Sequence, residues 1–166
     1  MKRNTKSFAI SLFLSVCISL GFFSAAYAQE YDALKGLKSA KAIFDLRLGS
    51  PKGAALQLQV IHQTYKDLAA KKMKPAFSVV FIGPSVKLIS KNREGFAAED
   101  QKKLDEIGGT ISQMAKDGIR LEICLIAARV MGVEPASVLP EIKKVPNGYI
   151  SVIGYQAHGY SLVPIY

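Results

Sequence analysis

Two kinds of apolar pattern alternate along this chain, and their alternation constrains the fold more than any other feature. Short runs rich in β-branched and aromatic residues, such as 76–82, end at Gly or Pro and are typical of buried strands. Between them, apolar residues recur at helical spacing, as in 53–72 and 99–117. This order of strand, helix, strand, helix, strand and helix predicts an α/β fold with a parallel sheet.

The predicted elements follow one another from Ser39 to the end of the chain. The predicted strands are 39–48, 76–82, 119–123 and 160–165. The predicted helices are 53–72, 99–117 and 125–131. Gly118 and Gly132 follow the second and third helices, and glycine is the residue that most often ends a helix.

One segment near the C-terminus allows two structures. Asn147 and Gly148 form a turn typical of a β-hairpin, which would make 150–153 a strand. Asn147 is also a good N-cap residue, which would make 148–158 a helix that ends at Gly159. Local propensity favours the hairpin slightly, so the residues by themselves leave both structures open.

The N-terminus has the layout of a secretory signal peptide. Three basic residues precede an apolar run at 8–23, and Ala26-Tyr27-Ala28 is a small-x-small cleavage pattern. The run is short for a membrane span, which needs roughly 20 apolar residues, and an uncleaved anchor is the alternative. We therefore expect cleavage after Ala28 and a periplasmic or secreted product without stable membrane insertion. The expected organisation is a signal peptide at 1–28, an N-terminal linker at 29–37 and one domain at 38–166.

Charge and residue usage exclude several classes of protein. The chain has 22 Lys and Arg against 13 Asp and Glu, a net charge of +9, and loss of Lys2, Arg3 and Lys6 would leave +6. The lysines are scattered without interleaved aromatic residues, so no nucleic-acid partner is expected. Two His and two Cys are too few for a closed Cys/His zinc site, and glycine motifs for phosphate binding are absent from the sequence. No metal and no cofactor are expected.

Cys124 is the candidate catalytic residue. Cleavage would remove Cys17 and leave Cys124 without an internal partner in an oxidising compartment. Free cysteines are often buried and inert. Cys124, however, ends a predicted strand and begins a predicted helix, where open α/β sheets bind ligands and a helix dipole favours a thiolate. The position therefore favours a reactive thiol.

The turn after the preceding strand is the expected wall of a pocket around this thiol. Gly83, Pro84 and Ser85 close that strand, and they would lie beside Cys124 if the two strands are neighbours. The backbone N–H groups around Gly83 and Leu125 are expected to stabilise the thiolate.

Three further residues are weaker candidates. Asp45 lies within a predicted strand, and we expect a solvated or capping carboxylate rather than a buried acid. We expect His62 to be a partly buried or surface residue of its helix rather than a base. We place His158 in a loop or helix cap.

Four segments, taken in order, resemble proteins of the DsrE-like family. The first, 78–88, is similar to a strand that a Gly-Pro turn closes, and the second, 118–133, is similar to the family's cysteine-bearing strand and helix. The segments 138–148 and 156–160 resemble the C-terminal part. The likeness covers about residues 38–166, and Cys124 matches the position of the cysteine found in many members.

The resemblance implies a three-layer α/β/α sandwich on a mainly parallel five-stranded sheet. It also implies the helix rather than the hairpin at 148–158. Members such as DsrE and TusD carry sulfur as a persulfide on a cysteine and assemble as trimers or hexamers. Many exported members have small or polar residues after this cysteine, whereas this chain has the more apolar Leu125, Ile126 and Ala127.

Two functions are therefore expected from the resemblance. The first is a periplasmic sulfur-relay protein, sulfurtransferase-like and homo-oligomeric as a trimer or hexamer. It would exchange sulfur through Cys124 with a sulfur donor and acceptor that the sequence does not name. The alternative is a non-catalytic binding or assembly module with the same fold and an inert, buried Cys124.

Overall fold

The computed structural model describes residues 31–166, so the predicted signal peptide at 1–28 lies outside the described residues. The chain divides into two units, Met1–Lys35 and Gly36–Tyr166. The described part of the first unit contains a short 3-10 helix, Asp32–Leu34. The strands and helices discussed below all belong to the second unit.

A five-stranded sheet forms the centre of the second unit. Its strands are β1 (Ser39–Leu46), β2 (Lys74–Phe81), β3 (Arg120–Cys124), β4 (Lys143–Val145) and β5 (Ser161–Ile165). Their spatial order is β4-β3-β2-β1-β5, and every neighbouring pair is parallel. The predicted α/β fold with a parallel sheet is therefore confirmed. The residue pattern did not predict β4, because three residues are too few to show alternation.

Four α-helices connect the strands. They are α1 (Pro51–Ala70), α2 (Gln101–Lys116), α3 (Leu125–Val130) and α4 (Gly148–Ala157). Short 3-10 helices at Gly83–Ile89, Ala98–Asp100 and Pro135–Ser137 complete the connections. Each predicted helix is present, with ends that differ by a few residues from the prediction.

The helix alternative at 148–158 is confirmed and the hairpin is wrong. The Asn147 side chain accepts a hydrogen bond from the Tyr149 N–H at 3.0 Å, as an N-cap does. At the other end, Gly159 has a φ of +80°, which suits a glycine after a helix. A hairpin joins neighbouring antiparallel strands, whereas β4 and β5 are parallel and lie at opposite edges of the sheet.

The helices cover the sheet in two layers. On one face, the Phe77 ring of β2 stacks edge-on against Phe44 of β1 and Tyr65 of α1, with centroid distances of 5.0 and 5.5 Å. α2 packs against α1. On the other face, α4 crosses the sheet and contacts β1, β2 and β3. The right-handed rule for parallel crossovers explains why α4, which returns across the sheet, takes the face opposite α1 and α2.

The two layers differ in size and in polarity. α1 and α2 have 20 and 16 residues, while α4 has 10. α4 is also apolar on its solvent side, where Ile150 is 67% exposed and Ile153 is 65% exposed. None of the helices between residues 31 and 166 is long and apolar enough to span a membrane.

Candidate functional site

Three residues lie level with one another at the carboxyl end of the sheet, on the face that α4 covers. Cys124 ends β3, Ile82 follows β2 and Arg47 follows β1. Strands in a sheet are about 4.8 Å apart, so the Cα atoms of Arg47 and Cys124 are about 10 Å apart with Ile82 between them. The residues directly before them are paired in register across the three strands: Leu46, Phe81 and Ile123.

Cys124 is a buried free thiol that the start of α4 covers. Its exposure is 3%. A Cβ atom at Gly148 would lie 2.8 Å from the Cys124 Cβ and 3.1 Å from two side-chain carbons of Ile82. Real Cβ atoms do not approach this closely, so the first residue of α4 must be glycine. Sequence reasoning missed Gly148 as a site residue, because Asn147-Gly148 also matches a hairpin turn.

Two helices begin beside Cys124. The first is α3, which starts at Leu125 directly after the thiol but has only six residues. The second is α4, which has ten residues and starts at Gly148. Helix N-termini carry partial positive charge, which favours a nearby anion. The sequence predicted that α3 starts at Cys124; it left the start of α4 as one of two alternatives and gave no sign that this start lies beside the thiol.

Arg47 and Asp45 form an ion pair beside this position. The Arg47 Nε donates to both Asp45 carboxylate oxygens at 3.0 Å, and Nη2 donates to Oδ2 at 2.7 Å. The Asp45 side chain is 4% exposed and that of Arg47 is 30% exposed. The hydrogen bond to Asp45 is the main reason that the pKa of Arg47 is raised above its usual range.

The expectation of a solvated or capping Asp45 is therefore wrong. Asp45 is buried because Arg47, two residues later on the same face of the strand, supplies its counter-charge. The Asp-x-Arg spacing is the signal that could have predicted this pair, since residues i and i+2 of a strand share a face.

Two tyrosines contact the Arg47 guanidinium. Nη1 donates to the Tyr149 hydroxyl at 2.9 Å, and the guanidinium carbon lies 5.0 Å from the Tyr149 ring centroid. The Tyr166 ring is 5.6 Å away. Tyr149 follows Gly148, so this hydrogen bond links Arg47 to the turn of α4 that covers Cys124.

Gly83, Pro84 and Ser85, the predicted pocket wall, follow β2. Their prediction required that β2 and β3 lie side by side, and the two strands are neighbours in the sheet. Gly83 begins the 3-10 helix with a φ of +63°. The ring of Pro84 faces the start of α1, because a Cβ atom at Gly49 would lie 2.9 Å from the Pro84 Cβ.

The Ser85 hydroxyl forms hydrogen bonds to the backbone. Ser85 is fully buried, and its Oγ donates to the carbonyl oxygens of Leu46 at 2.7 Å and Ile82 at 3.1 Å. This hydroxyl therefore ties the turn to the end of β1. Leu125 is half-buried and packs against the core directly after Cys124.

A buried polar pair lies below Cys124 on the same face. Glu122 is 5% exposed, and its Oε1 accepts a hydrogen bond from the Tyr155 hydroxyl of α4 at 3.0 Å. Glu122 Oε2 has no hydrogen-bond partner among the described residues. Burial is the main cause that raises the pKa of Tyr155, and the nearby Glu122 carboxylate acts in the same direction. Sequence reasoning did not identify this pair.

The two histidines lie away from Cys124. The His62 Nε2 is 2.6 Å from the Asp117 Oδ2, which places it between α1 and the end of α2 on the opposite face of the sheet. His158 caps the C-terminus of α4, and its carbonyl oxygen accepts a hydrogen bond from Lys41 Nζ at 3.4 Å. His158 is therefore a helix-cap residue at the far end of α4.

A surface groove of about 390 Å³ lies between the loop after β2 and the segment after α3. Charged, polar and apolar side chains share its lining, and the Ser90 and Ser137 Oγ atoms are 2.7 Å apart. Cys124 and Arg47 are not part of the lining. The residues that line the groove are Lys87, Ser90, Asn92, 94–96, 131–134 and Ser137.

Comparisons with known proteins agree with this architecture. An archaeal protein of unknown function, MTH1491 from Methanobacterium thermoautotrophicum, has a similar structure with a TM-score of 0.59 and 16% identity. That match covers 76% of this chain and 99% of MTH1491, and at this identity it shows the fold alone.

A sequence relative and a family model match as well. An uncharacterized protein of Aquifex aeolicus (strain VF5) is 23% identical over 125 residues. The matched region is 75% of this chain and 55% of that protein, so this chain spans about half the length of the relative. The model of the DsrE/DsrF-like family matches residues 63–165, which is more than half of the chain. The chain therefore belongs to the DsrE/DsrF-like family.

Proposed function

We propose that this protein handles sulfur through Cys124, which accepts a sulfane sulfur as a persulfide and passes it to a partner thiol. One observation carries the proposal. In a chain of this family, a free cysteine lies at the carboxyl end of a central parallel strand, where open α/β sheets bind their ligands. Cys124 also lies beside the positive ends of two helices, which favour the negatively charged sulfur species.

The proposed chemistry needs no oxidant or reductant beyond its sulfur donor. The Cys124 thiolate attacks the outer sulfur of a donor persulfide, and a new S–S bond forms at Sγ. The S–S bond of the donor breaks, and its thiolate leaves with the electron pair and takes up the proton that Cys124 lost. Transfer onward repeats the step with the partner thiol as the nucleophile.

The proposed compartment is the periplasm. The apolar run at 8–23 and the cleavage pattern at Ala28 support export. Export would leave Cys124 without an intramolecular disulfide partner, but open to exchange with other sulfur compounds. The donor and acceptor are proposed as a small sulfur compound or a protein thiol. Intact mass of the exported protein checks this proposal, and a chain that starts at Gln29 is expected.

A second candidate is a binding or assembly module with an inert Cys124. The 3% exposure of Cys124 and its cover by Gly148 favour this candidate. Sulfur transfer would require the first turn of α4 to move away from the thiol. The two candidates therefore differ in one measurable property, which is the reactivity of Cys124 in the native protein.

Whole-protein mass after incubation with polysulfide distinguishes the two candidates. The wild-type protein is expected to gain the mass of one sulfur atom, and Cys124→Ser is expected to gain none. The variant removes little volume and so keeps its fold, which circular dichroism verifies. If the native thiol neither gains sulfur nor reacts with an alkylating agent until the protein is unfolded, the binding module replaces the sulfur carrier.

We also propose that the protein is a homo-oligomer, a trimer or a hexamer. The solvent side of α4 supports this proposal, because Ile150 and Ile153 expose most of their apolar surface there. Tyr149 and Tyr166, which are 50% and 75% exposed, lie on the same face of the sheet. Helices that are apolar on all sides are usually buried, and contiguous exposed apolar surface marks an interaction site.

A further inference from the structure

We infer that Arg47 is the binding site for an anionic sulfur donor, which it presents to Cys124. The inference rests on the proposed function, because it names the substrate class of the same site. The expected ligand is a small anion with a sulfane sulfur at one end and oxyanion oxygens at the other, of which thiosulfate is the simplest example.

The hydrogen bonds of Arg47 leave donors for such a ligand. A guanidinium has five N–H donors. Asp45 takes Nε–H and one N–H of Nη2, and Tyr149 takes one N–H of Nη1. Among residues 31–166, one N–H on each Nη atom is therefore left, and an arginine binds an oxyanion in a bidentate manner through two such donors.

The guanidinium is fixed in place before a ligand arrives. Asp45 holds one edge of it from within the core, and the Tyr149 and Tyr166 rings lie against it. Its side chain is still 30% exposed, so an anion in solvent reaches it. A donor group that a buried carboxylate already holds in place loses little freedom on binding, which favours affinity.

Arg47 lies near the thiol, on the same face of the sheet. Arg47 and Cys124 are level on the α4 face, and the Cα atoms are about 10 Å apart across two strand spacings. Both side chains meet the first turn of α4, Cys124 at Gly148 and Arg47 at Tyr149. Transfer of sulfur from an anion bound at Arg47 would still require the first turn of α4 to move away from the thiol.

The transfer step balances without a further reactant. The Cys124 sulfur attacks the outer sulfur of thiosulfate, and an S–S bond forms at Sγ. The S–S bond of thiosulfate breaks, sulfite leaves with the electron pair, and the thiol proton passes to it. One thiol and thiosulfate thus give one persulfide anion and hydrogen sulfite.

The first test compares two alkylating agents on the purified protein. Iodoacetate carries a carboxylate and iodoacetamide is neutral, while both lose iodide to the same thiolate. We expect Arg47→Gln to lower the ratio of the iodoacetate rate to the iodoacetamide rate about tenfold, as loss of a charge-assisted contact implies. Lys41→Gln is the matched control, because Lys41 is an exposed cation on the same face of β1 at its other end, and its ratio should equal that of wild type.

A double variant shows whether a lowered ratio comes from loss of the cation or from misfolding. Arg47→Gln leaves a buried carboxylate without its counter-charge, whereas the double variant Asp45→Asn with Arg47→Gln removes both charges. The double variant is expected to show the same lowered ratio. A ratio equal to that of wild type in either folded variant overturns the inference.

Thiosulfate binding and transfer then separate this inference from the proposed function. In Cys124→Ser, which cannot accept sulfur, calorimetry should detect thiosulfate binding that is lost when Asp45→Asn and Arg47→Gln are added. If that binding is found and wild type gains no sulfur from any donor, the proposed function fails and the anion site holds. If wild type and the Arg47 variants gain sulfur from thiosulfate at equal rates, or no binding is detected, the anion site fails.

Discussion

Gly148 and Gly154 lie in the same ten-residue helix but have opposite surroundings. A Cβ atom at Gly148 would collide with Cys124 and Ile82, whereas one at Gly154 would meet no atom of the described residues within 4 Å. Tertiary packing requires the first glycine. The second glycine lowers the stability of the helix through the backbone entropy that it loses on folding, and no packing contact within residues 31–166 requires it.

Alanine at these two positions is therefore expected to have effects of opposite sign. Gly148→Ala should lower the free energy of unfolding by about 1–3 kcal/mol, because it overpacks the cover of Cys124. Gly154→Ala should raise it by up to about 1 kcal/mol through helix propensity. Urea denaturation measures both, and a neutral Gly148→Ala would mean that α4 does not pack closely on the thiol.

The Asp45–Arg47 pair predicts a second asymmetry at the residue scale. Arg47→Ala should cost about 3 kcal/mol or more, since it leaves a buried carboxylate without its counter-charge. Asp45→Asn should cost less, because the partly exposed guanidinium can turn toward water. Thermal or urea unfolding of the two variants checks the order of the two costs. Equal costs would contradict the difference in burial between the two side chains.

At the scale of elements, α4 is held to the sheet by polar contacts at both ends. Tyr149 binds Arg47 near the start of α4, and Tyr155 binds the buried Glu122 near its end. The Tyr155 ring also stacks edge-on against Tyr160, with centroids 5.0 Å apart. These contacts explain how a short helix with apolar residues on its outer side keeps one orientation on the sheet.

The Tyr155 contact predicts a dependence of stability on alkaline pH. Burial raises the pKa of Tyr155 in the folded protein above its ordinary value of 10.0, so the folded state binds this proton more tightly than the unfolded state. The contribution is fully present below pH 10 and is lost as pH rises through the folded pKa. Wild type should therefore lose more stability than Tyr155→Phe above about pH 10. Parallel curves of unfolding free energy against pH for the two proteins would refute this linkage.

At the scale of the whole molecule, the two faces of the sheet are covered unequally. α1 and α2 shield one face, while the single helix α4 and its exposed isoleucines form the outside of the other. The residues that an assembly would bury are therefore expected on the α4 side.

Charge substitutions on the two faces test where the subunits of the proposed oligomer meet. Ile150→Lys combined with Ile153→Lys should shift the protein toward the monomer in light scattering, with little change in the stability of the protomer. Leu56→Lys is the matched control, since Leu56 is 58% exposed on α1, and it should leave the oligomer intact. An oligomer that survives the α4 substitutions and dissociates in the control would place the interface on the opposite face.

The sequence by itself determined the elements whose pattern is local. The strand at 76–82 and the helices at 53–72 and 99–117 follow from side-chain periods of 2 and 3.6, which neighbouring residues set. Turn glycines such as Gly118 and Gly132 likewise act on their own backbone, and both have a positive φ. The position of Cys124 between a strand and a helix followed from the same local pattern.

Only the tertiary structure decided the features that depend on distant segments. At 148–158 the residues by themselves left helix and hairpin open, and only the family resemblance implied the helix. The placement of β4 and β5 at opposite edges of the sheet excludes the hairpin. The cover of Cys124 by Gly148 joins residues that are far apart along the chain. The contact between Arg47 and Tyr149 joins residues that are more distant still. Local propensity carries no information on such pairs, because their energies arise only when the sheet brings the segments together.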